Sequence, residues 1–266
     1  MNIKMIVTDL DRTLLRYDKT ISQYSVDVLN KCRDKGIKLV FATARPKRTV
    51  DHFCLDVPID GLIFHNGAVV CVGENRLASF GINPESRDHI LLAVSKDYPT
   101  ATVSVEIDDV LYANFNDLPE YEVWQKKESN LIWNHIKTDF TDLPPKPADK
   151  IIIGVKSMED IKELVKYVPD NFYIEMNSGD NINLGLIMNR FATKWNAVQT
   201  LSAHFGIVTA DIVAFGDDYN DIGMLRGCGV GVSVANAIDE AKAAADFGCD
   251  TNDNDGVARW LEENLL

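Results

Sequence analysis

Two carboxylates, Asp9 and Asp11, stand where the first apolar run of the chain ends. Ile3 to Val7 reads as a buried strand, so both acids emerge at its carboxyl end within Asp9-Leu10-Asp11-Arg12-Thr13-Leu14-Leu15. Burying one carboxylate is unfavourable, and burying two together is worse unless a cation lies between them. The plainer alternative is a turn with one acid capping a helix. Two acids at this spacing point to chemistry instead.

Three later segments carry residue types that fit the same chemistry. Thr43 follows the apolar run Ile37 to Ala42, and Lys194 lies in the helical pattern Thr193 to His204. Gly216-Asp217-Asp218-Tyr219-Asn220-Asp221 follows the run Ile212 to Phe215. In open parallel sheets, ligands bind beyond the carboxyl ends of the strands. These segments would therefore bring carboxylates, a hydroxyl and an ammonium to one edge. Hard oxygen ligands suit Mg²⁺, which keeps waters and takes a phosphate oxygen as a further ligand. An aspartate can act as a nucleophile and become an aspartyl-phosphate. Phosphoryl transfer needs mainly positioning and charge stabilisation, which Mg²⁺, Lys194 and the backbone N–H groups near Thr43 and Ala44 would supply. Asp11 fits an acid that protonates the leaving alkoxide and then activates water.

The scaffold for such an edge is legible. Lys4 to Val7, Ile37 to Ala42 and Ile59 to Phe64 read as buried strands. Between the first two lies a helix that Ser22 would cap and Gly36 would end; another follows Pro46 and runs to about Leu55. The same alternation returns after residue 189, with a helix over Thr193 to His204, strands at Ile212 to Phe215 and Gly229 to Val234, and helices over Ala237 to Ala245 and Asp255 to Leu265. Apolar strands separated by amphipathic helices predict an α/β domain with a Rossmann-like parallel sheet. The middle differs. Ala101 to Ile107 and Val110 to Phe115 flank Asp108-Asp109 as a hairpin, Ile151 to Val155 is a strand, and Met158 to Val168 has helical period. Phe172 to Met176 and Ile182 to Leu186 flank Asn177-Ser178-Gly179-Asp180 as a second hairpin, and Pro144-Pro145-Lys146-Pro147 is a stiff extended loop. The expected organisation is a core domain of residues 1–81 and 189–266, with an α+β domain of residues 82–188 inserted in it.

Composition narrows the setting. The 266 residues carry a net charge of −13, which argues against a nucleic-acid or anionic-membrane surface while leaving room for a small anionic substrate at a local cation. Cys32, Cys54, Cys71, Cys228 and Cys249 are scattered without a CxxC pair, so neither a zinc site nor a disulfide framework is expected. With no apolar run long enough to span a bilayer, a cytoplasmic protein is expected.

The ordered set of segments resembles the haloacid dehalogenase superfamily of aspartate-nucleophile phosphatases. Asp9-Leu10-Asp11-Arg12-Thr13-Leu14 is similar to its DxDGTL motif, Thr43 to its second motif, Lys194 to its third, and Gly216 to Asp221 to its GDxxND motif. Asn66-Gly67-Ala68, the inserted domain and Asp253-Asn254-Asp255-Gly256-Val257-Ala258 resemble the Cof-like subfamily with a large cap. The resemblance implies Asp9 as nucleophile and Asp11 as general acid/base. It implies Mg²⁺ held by Asp9, Asp11 (through its backbone carbonyl), Asp217 and Asp221, the last directly or through water. Leu10, Arg12, Thr43, Ala44, Lys194 and Asn220 form the implied phosphate- and substrate-binding set, and the cap would close over the site and choose the leaving group. The implied activity is Mg²⁺-dependent hydrolysis of a small phosphorylated metabolite, with sugar phosphates favoured. A phosphotransferase or hexose phosphomutase would use the same aspartyl-phosphate, and a non-catalytic binding module would be expected to have lost Asp9, Asp11, Lys194 or Asp217.

Two residues depart from the family pattern. Arg12 stands where glycine is usual, and it either grips a second anionic group of the substrate or pairs with an acid of the cap. Trp195 stands where glycine is frequent, and it either trims the pocket or fills the core beneath its helix. Plainer roles also apply along the chain. Thr43 and Asn220 can be helix caps, Lys194 a solvated lysine, and Asp218 an exposed turn residue outside the metal shell. Arg45 can pair with a core-domain acid, His65 can be a hydrogen-bonded structural histidine, Trp124 and Trp133 can be packing, and Asp108-Asp109 solvated turn acids.

Overall fold

The structure is a computed structural model that describes residues 2–50, 57, 59–115, 135–178 and 182–266. Contacts divide the chain into two units, Met1–Ser79 with Ala192–Leu266, and Phe80–Phe191. Cys54, Trp124, Trp133, Gly179, Asp180 and the helix expected beyond Val50 lie outside the described residues.

The first unit is built on an eight-stranded sheet. Its order is Phe247–Cys249, Val230–Val234, Ile212–Gly216, Met5–Thr8, Lys38–Ala42, Gly61–Phe64, Val69–Val72 and Asn75–Ser79. The first six strands are parallel and the last two antiparallel. Central strands buried on both faces read as continuous apolar runs, which is why they were legible. The edge strand Asn75–Ser79 is polar and mostly exposed, so it offers no apolar run to read. Met5–Thr8 sits between Ile212–Gly216 and Lys38–Ala42, with Thr8 opposite both Phe215 and Phe41. Asp9, Asp217 and Thr43 therefore leave the sheet at neighbouring strand ends.

Helices cover this sheet for local reasons. Ser22 accepts from Ser25 N–H and starts Gln23–Asp34, and Gly36 follows its end at φ 83°. Thr193 accepts from Asn196 N–H and starts Lys194–Phe205, and Gly206 ends it in the left-handed conformation. The terminal helix Gly256–Leu265 packs on Gln23–Asp34, and its Trp260 ring meets Phe215 edge-on at 5.4 Å.

The second unit has a six-stranded sheet in the order Phe172–Asn177, Asn183–Asn189, Lys150–Val155, Thr102–Ile107, Val110–Ala113 and His135–Lys137. All its pairs are antiparallel except the last. Asp108 and Asp109 make the hairpin turn at φ 55° and 63°, a pairing that acidic residues tolerate. A helix at Pro84–Asp97 is capped by Asn83 with Pro84 in its first turn, a start signal the apolar periodicity does not carry. Its buried Arg87 donates to the carbonyls of Pro144 and Lys146 and so anchors the proline-rich loop.

Candidate active site

Lys194 is buried, at 1% exposure, and its Nζ donates to Oδ1 of Asp9 and Oδ1 of Asp221, both at 2.6 Å. It reaches them from the first turn of its helix, while Asp9 is fixed by its own N–H donating to Phe215 O at 3.0 Å. Asp221 Oδ2 accepts from the N–H groups of Asp217 and Asp218 at 2.9 and 3.1 Å. Gly216 permits this fold-back, because a Cβ there would lie 2.4 Å from the Cβ of Asp221. Thr13 Oγ1 donates to Asp217 Oδ1 at 2.9 Å.

One oxygen each from Asp9, Asp217 and Asp221 lies within 4.8 Å of the other two. Burial pushes the Asp9 carboxyl well above the carboxylate range; Lys194 opposes this, and the neighbouring acids Asp221, Asp217 and Asp11 add to it. Burial, followed by the charge of Asp221, pushes Asp217 up to about 6 against Thr13, Arg12 and Lys194. Burial alone would lower Lys194, but Asp221 and Asp9 outweigh it and hold the ammonium above its ordinary value. Three buried carboxylates thus face one buried ammonium, and hard oxygen donors short of positive charge fit a divalent cation. Among the described residues, Asp9 Oδ2 has no hydrogen-bond partner, while Asp217 Oδ2 has only the Arg12 guanidinium at 3.8 Å. Both oxygens of Asp221 already accept bonds, so this side chain chiefly orients Lys194 and its own loop.

Asp11 stands apart from that cluster. Arg45 Nε donates to its Oδ2 at 2.6 Å, Arg45 Nη2 to its Oδ1 at 2.7 Å, and Lys19 Nζ to Oδ1 at 2.7 Å. Burial would raise this carboxyl, but the bonds and charge of Arg45, then Lys19, outweigh it and lower it to about 2. Lys19 reaches Asp11 from a tight turn between Arg16 and Thr20, where its own φ is 68°. The core-domain acid that Arg45 holds is thus Asp11 itself.

The remaining expected site residues fall in different places. Thr43 is buried, and its Oγ1 accepts from Arg45 N–H at 3.1 Å. Ala44 is exposed beside it, whereas the Leu10 side chain is fully buried in the core and its carbonyl accepts from Thr13 and Leu15. Asn220 Nδ2 donates to Asn66 Oδ1 at 2.9 Å rather than to the carboxylates, and among the described residues its buried Oδ1 accepts nothing. Asn66 sits at φ 58° in the His65–Gly67 turn, and its N–H donates to Thr43 O at 3.0 Å, tying Asn220 to the Thr43 loop. Asp218 is an exposed turn residue that accepts from Tyr219 N–H. His65 is buried within the same turn as Asn66.

Lys19 and Asn236 carry no signal in the sequence, and Thr13 and Asn66 enter it only as parts of motifs. Thr13, Asn66 and Asn236 are short polar residues whose partners lie 204, 154 and 224 positions away, and Lys19 is a long side chain that meets Asp11 from a turn eight positions on. Asn236 Nδ2 donates to Arg12 O at 2.7 Å and receives a long contact, 3.4 Å, from Arg12 Nη2. Arg12 itself is held at φ 61°, which costs a residue with a Cβ about 1–2 kcal/mol. Its ion partner is Asp217, Nε to Oδ2 at 3.8 Å, which lies in the same unit and not in the inserted one. Trp195 lies against the glycines of the next helix, Ile222–Gly227: a Cβ at Gly223 would meet its Cβ at 3.0 Å, and one at Gly227 would meet its ring at 2.5 Å. That packing favours Trp195 as a filler between helices. No helix among the described residues is long and apolar enough to cross a membrane.

Comparison with known proteins finds relatives that cover nearly the whole chain. The family model for haloacid dehalogenase-like hydrolases matches residues 6–261. The chain is 27% identical over 277 residues to the 5-amino-6-(5-phospho-D-ribitylamino)uracil phosphatase YitU of Bacillus subtilis, covering 97% of this chain and 96% of that protein. It is 25% identical over 294 residues to the pyridoxal phosphate phosphatase YbhA of Escherichia coli, with both chains covered in full. A solved structure from Thermotoga maritima shares the fold with a TM-score of 0.86 at 24% identity, covering 99% of this chain and 98% of that one. With the match running from the first strand, which delivers Asp9, into the terminal helix, the chain belongs to the haloacid dehalogenase-like hydrolases.

Proposed function

We propose that the protein is a metal-dependent phosphatase that hydrolyses a small phosphomonoester through an aspartyl-phosphate on Asp9. The observation that carries this is the posture of Asp9. One oxygen is held by Lys194 at 2.6 Å, the other is unused among the described residues, and two further carboxylates stand beside it. A nucleophilic carboxylate needs this: orientation through one oxygen, a lone pair left on the other, and neighbouring carboxylates that would hold the cation an incoming dianion requires.

In this reading Asp9 Oδ2 attacks phosphorus and the ester P–O bond breaks. Asp11 delivers a proton to the leaving alkoxide, then takes one from the water that cleaves the aspartyl-phosphate. Held by Arg45 and Lys19, Asp11 is ionised and has no proton to give, so it acts as an acid only after its carboxyl leaves that fork. Lys194 favours the ionised form of Asp9 against its burial and the neighbouring acids, and the Thr43 hydroxyl and the neighbouring backbone N–H groups bind the phosphoryl oxygens. Asp9 and Asp217 would hold Mg²⁺, with Asp221 behind them. When bound, the ion supplies charge neutralisation for the phosphoryl group.

The family accepts chemically different leaving groups, as the names of the Bacillus and Escherichia relatives show for those proteins. A ribityl phosphate group in one of them puts sugar and sugar-alcohol phosphates first among the candidates for this chain. The test is release of free phosphate from a panel of such compounds, with Mg²⁺ and with EDTA, beside Asp9→Asn. Metal-dependent release that Asp9→Asn lacks is expected. Release that persists in Asp9→Asn rules out the nucleophile, and transfer to a sugar hydroxyl without free phosphate makes the protein a phosphotransferase.

A further inference from the structure

We propose that Arg12 is a specificity-determining residue that receives a second anionic group of the substrate. The preferred substrates are then phosphomonoesters that carry a further carboxylate or phosphate. This rests on the phosphatase reading and names a substrate class for it.

The backbone is the first observation. Arg12 sits at φ 61°, a conformation that glycine adopts freely and that a residue with a Cβ adopts at a cost. An outlier of this kind beside reactive groups is evidence of use when stability does not account for it. Stability does not account for Arg12. Its contact with Asp217 is 3.8 Å, beyond hydrogen-bond length, and its side chain is 55% exposed. A half-exposed ion pair without a hydrogen bond is among the weakest in a protein.

The second observation is how the residue is aimed. Asn236 Nδ2 donates to Arg12 O at 2.7 Å, Asn252 N–H donates to Asn236 Oδ1 at 3.0 Å, and Asn252 Nδ2 donates to Leu15 O at 2.9 Å. The turn after Asp11 is thereby tied to the loop around Asn236. Besides Asp217 at 3.8 Å, the guanidinium has one long contact among the described residues, Nη2 to Asn236 O at 3.4 Å. A guanidinium has five N–H donors in a fixed fork, so most of this one is unspent among the described residues. Lys194 and Arg45 differ, because both are buried on carboxylates. Arg12 is the half-exposed cation next to Asp217, placed where an oxyanion adjoining the metal-binding carboxylates can meet its fork. In a chain of net charge −13, such a local cation is what lets a doubly anionic substrate approach.

Matched pairs of compounds test this. Glycerol phosphate is compared with phosphoglycerate, which adds a carboxylate. A hexose monophosphate is compared with the corresponding bisphosphate, which adds a phosphate. The readout is the ratio of kcat/KM between the two members of each pair, for the wild type, Arg12→Gln, Arg12→Gly and Arg12→Lys. The wild type is expected to favour the doubly anionic member of at least one pair by about tenfold, the scale of one charge-assisted contact. Arg12→Gln and Arg12→Gly are expected to bring that ratio near one, and Arg12→Lys to retain part of it as a point charge. The pair that shows the effect identifies the anion as carboxylate or phosphate. The same pairs are titrated calorimetrically onto Asp9→Asn with Mg²⁺, with and without Arg12→Gln. That measurement needs no turnover, so absent hydrolysis with the binding preference intact sinks the phosphatase reading and leaves the Arg12 assignment standing. No preference in the wild type, or a preference that Arg12→Gln and Arg12→Gly leave unchanged, overturns the assignment. Melting curves for each variant verify folding, and Arg12→Gly is expected to melt no lower than the wild type because it relieves the backbone.

Discussion

Arg45 grips Asp11 with both prongs of its guanidinium, Nε on Oδ2 at 2.6 Å and Nη2 on Oδ1 at 2.7 Å. The acid next to the proposed nucleophile is therefore parked as an ion pair with a buried arginine, with Lys19 as a second cation on the same carboxylate.

This pairing predicts a pH signature. The folded Asp11 carboxyl is lowered from 3.8 to about 2 by Arg45 and Lys19 against its burial. A depressed carboxyl contributes stability that is fully present above its unfolded pKa and is lost as pH falls through its folded one. The window is thus between about pH 4 and pH 2. With the carboxylate one-third exposed, solvent screening leaves a contribution of about 1–2 kcal/mol. In Arg45→Gln the carboxyl is expected to titrate closer to the ordinary value and the acid limb of the stability curve to begin at higher pH. Carbon NMR of the aspartate carboxyls and urea unfolding at several pH values measure both. An unchanged Asp11 titration in Arg45→Gln would show that the fork does not hold it.

Much of this arrangement was legible in the chain, and the reason is physical. Met5–Thr8, Lys38–Ala42 and Ile212–Gly216 are buried on both faces, so their apolar runs announce them, and the acids at their ends stand out against that background. Ser22 and Thr193 declare two helix starts by chemistry that acts within three residues. Side-chain partnerships between distant segments leave no such trace. Thr13 is 204 positions from Asp217, and Arg45 is 34 from Asp11; nothing in the local pattern tells an arginine which acid it will meet. The strand Asn75–Ser79 was hidden for the opposite reason, since a polar edge strand has no core-facing run to betray it.

Lys194 is expected to be needed for folding as well as for chemistry. It is the buried cation between Asp9 and Asp221. Removing one partner from a buried ionic cluster leaves uncompensated charge and costs about 3–5 kcal/mol. Lys194→Met should therefore melt about 6–20 °C below the wild type. Adding Asp221→Asn to it should recover part of that loss by removing one of the stranded carboxylates. If Lys194→Met melts with the wild type, the three groups do not form the coupled cluster described.

Metal binding should depend on pH in a defined direction. In the metal-free protein Asp217 is raised from 3.8 to about 6, first by burial and then by Asp221. A raised carboxyl contributes stability that is present below its unfolded pKa and is lost as pH climbs through its folded one. The metal-free protein should therefore lose stability between about pH 4 and pH 6. A metal ligand must be deprotonated, so Mg²⁺ should raise the melting temperature little near pH 5 and clearly near pH 7. Melting with Mg²⁺ and with EDTA at the two pH values checks this. An equal Mg²⁺ effect at both, or one that survives Asp217→Asn, would exclude Asp217 as the titrating ligand.

Trp195 should prove to be a packing residue whose effect is read through its neighbours. A Cβ on Gly227 would lie 2.5 Å from its ring carbons and one on Gly223 3.0 Å from its Cβ. Aromatic rings cannot yield that distance, and overpacking of this kind costs about 1–3 kcal/mol, enough to outweigh the roughly 1 kcal/mol that alanine gains over glycine within a helix. Gly227→Ala is therefore expected to lower the melting temperature. Trp195→Leu opens the space the new methyl needs, so Trp195→Leu with Gly227→Ala should melt higher than the sum of the two single effects allows. A double-mutant cycle in denaturant measures that coupling. Because Trp195 follows Lys194 on the first turn of the same helix, a ring pushed aside by Gly227→Ala also shifts the lysine. Activity should therefore fall in Gly227→Ala and return in the double variant. Strict additivity in both stability and activity would place the Trp195 ring away from Gly227.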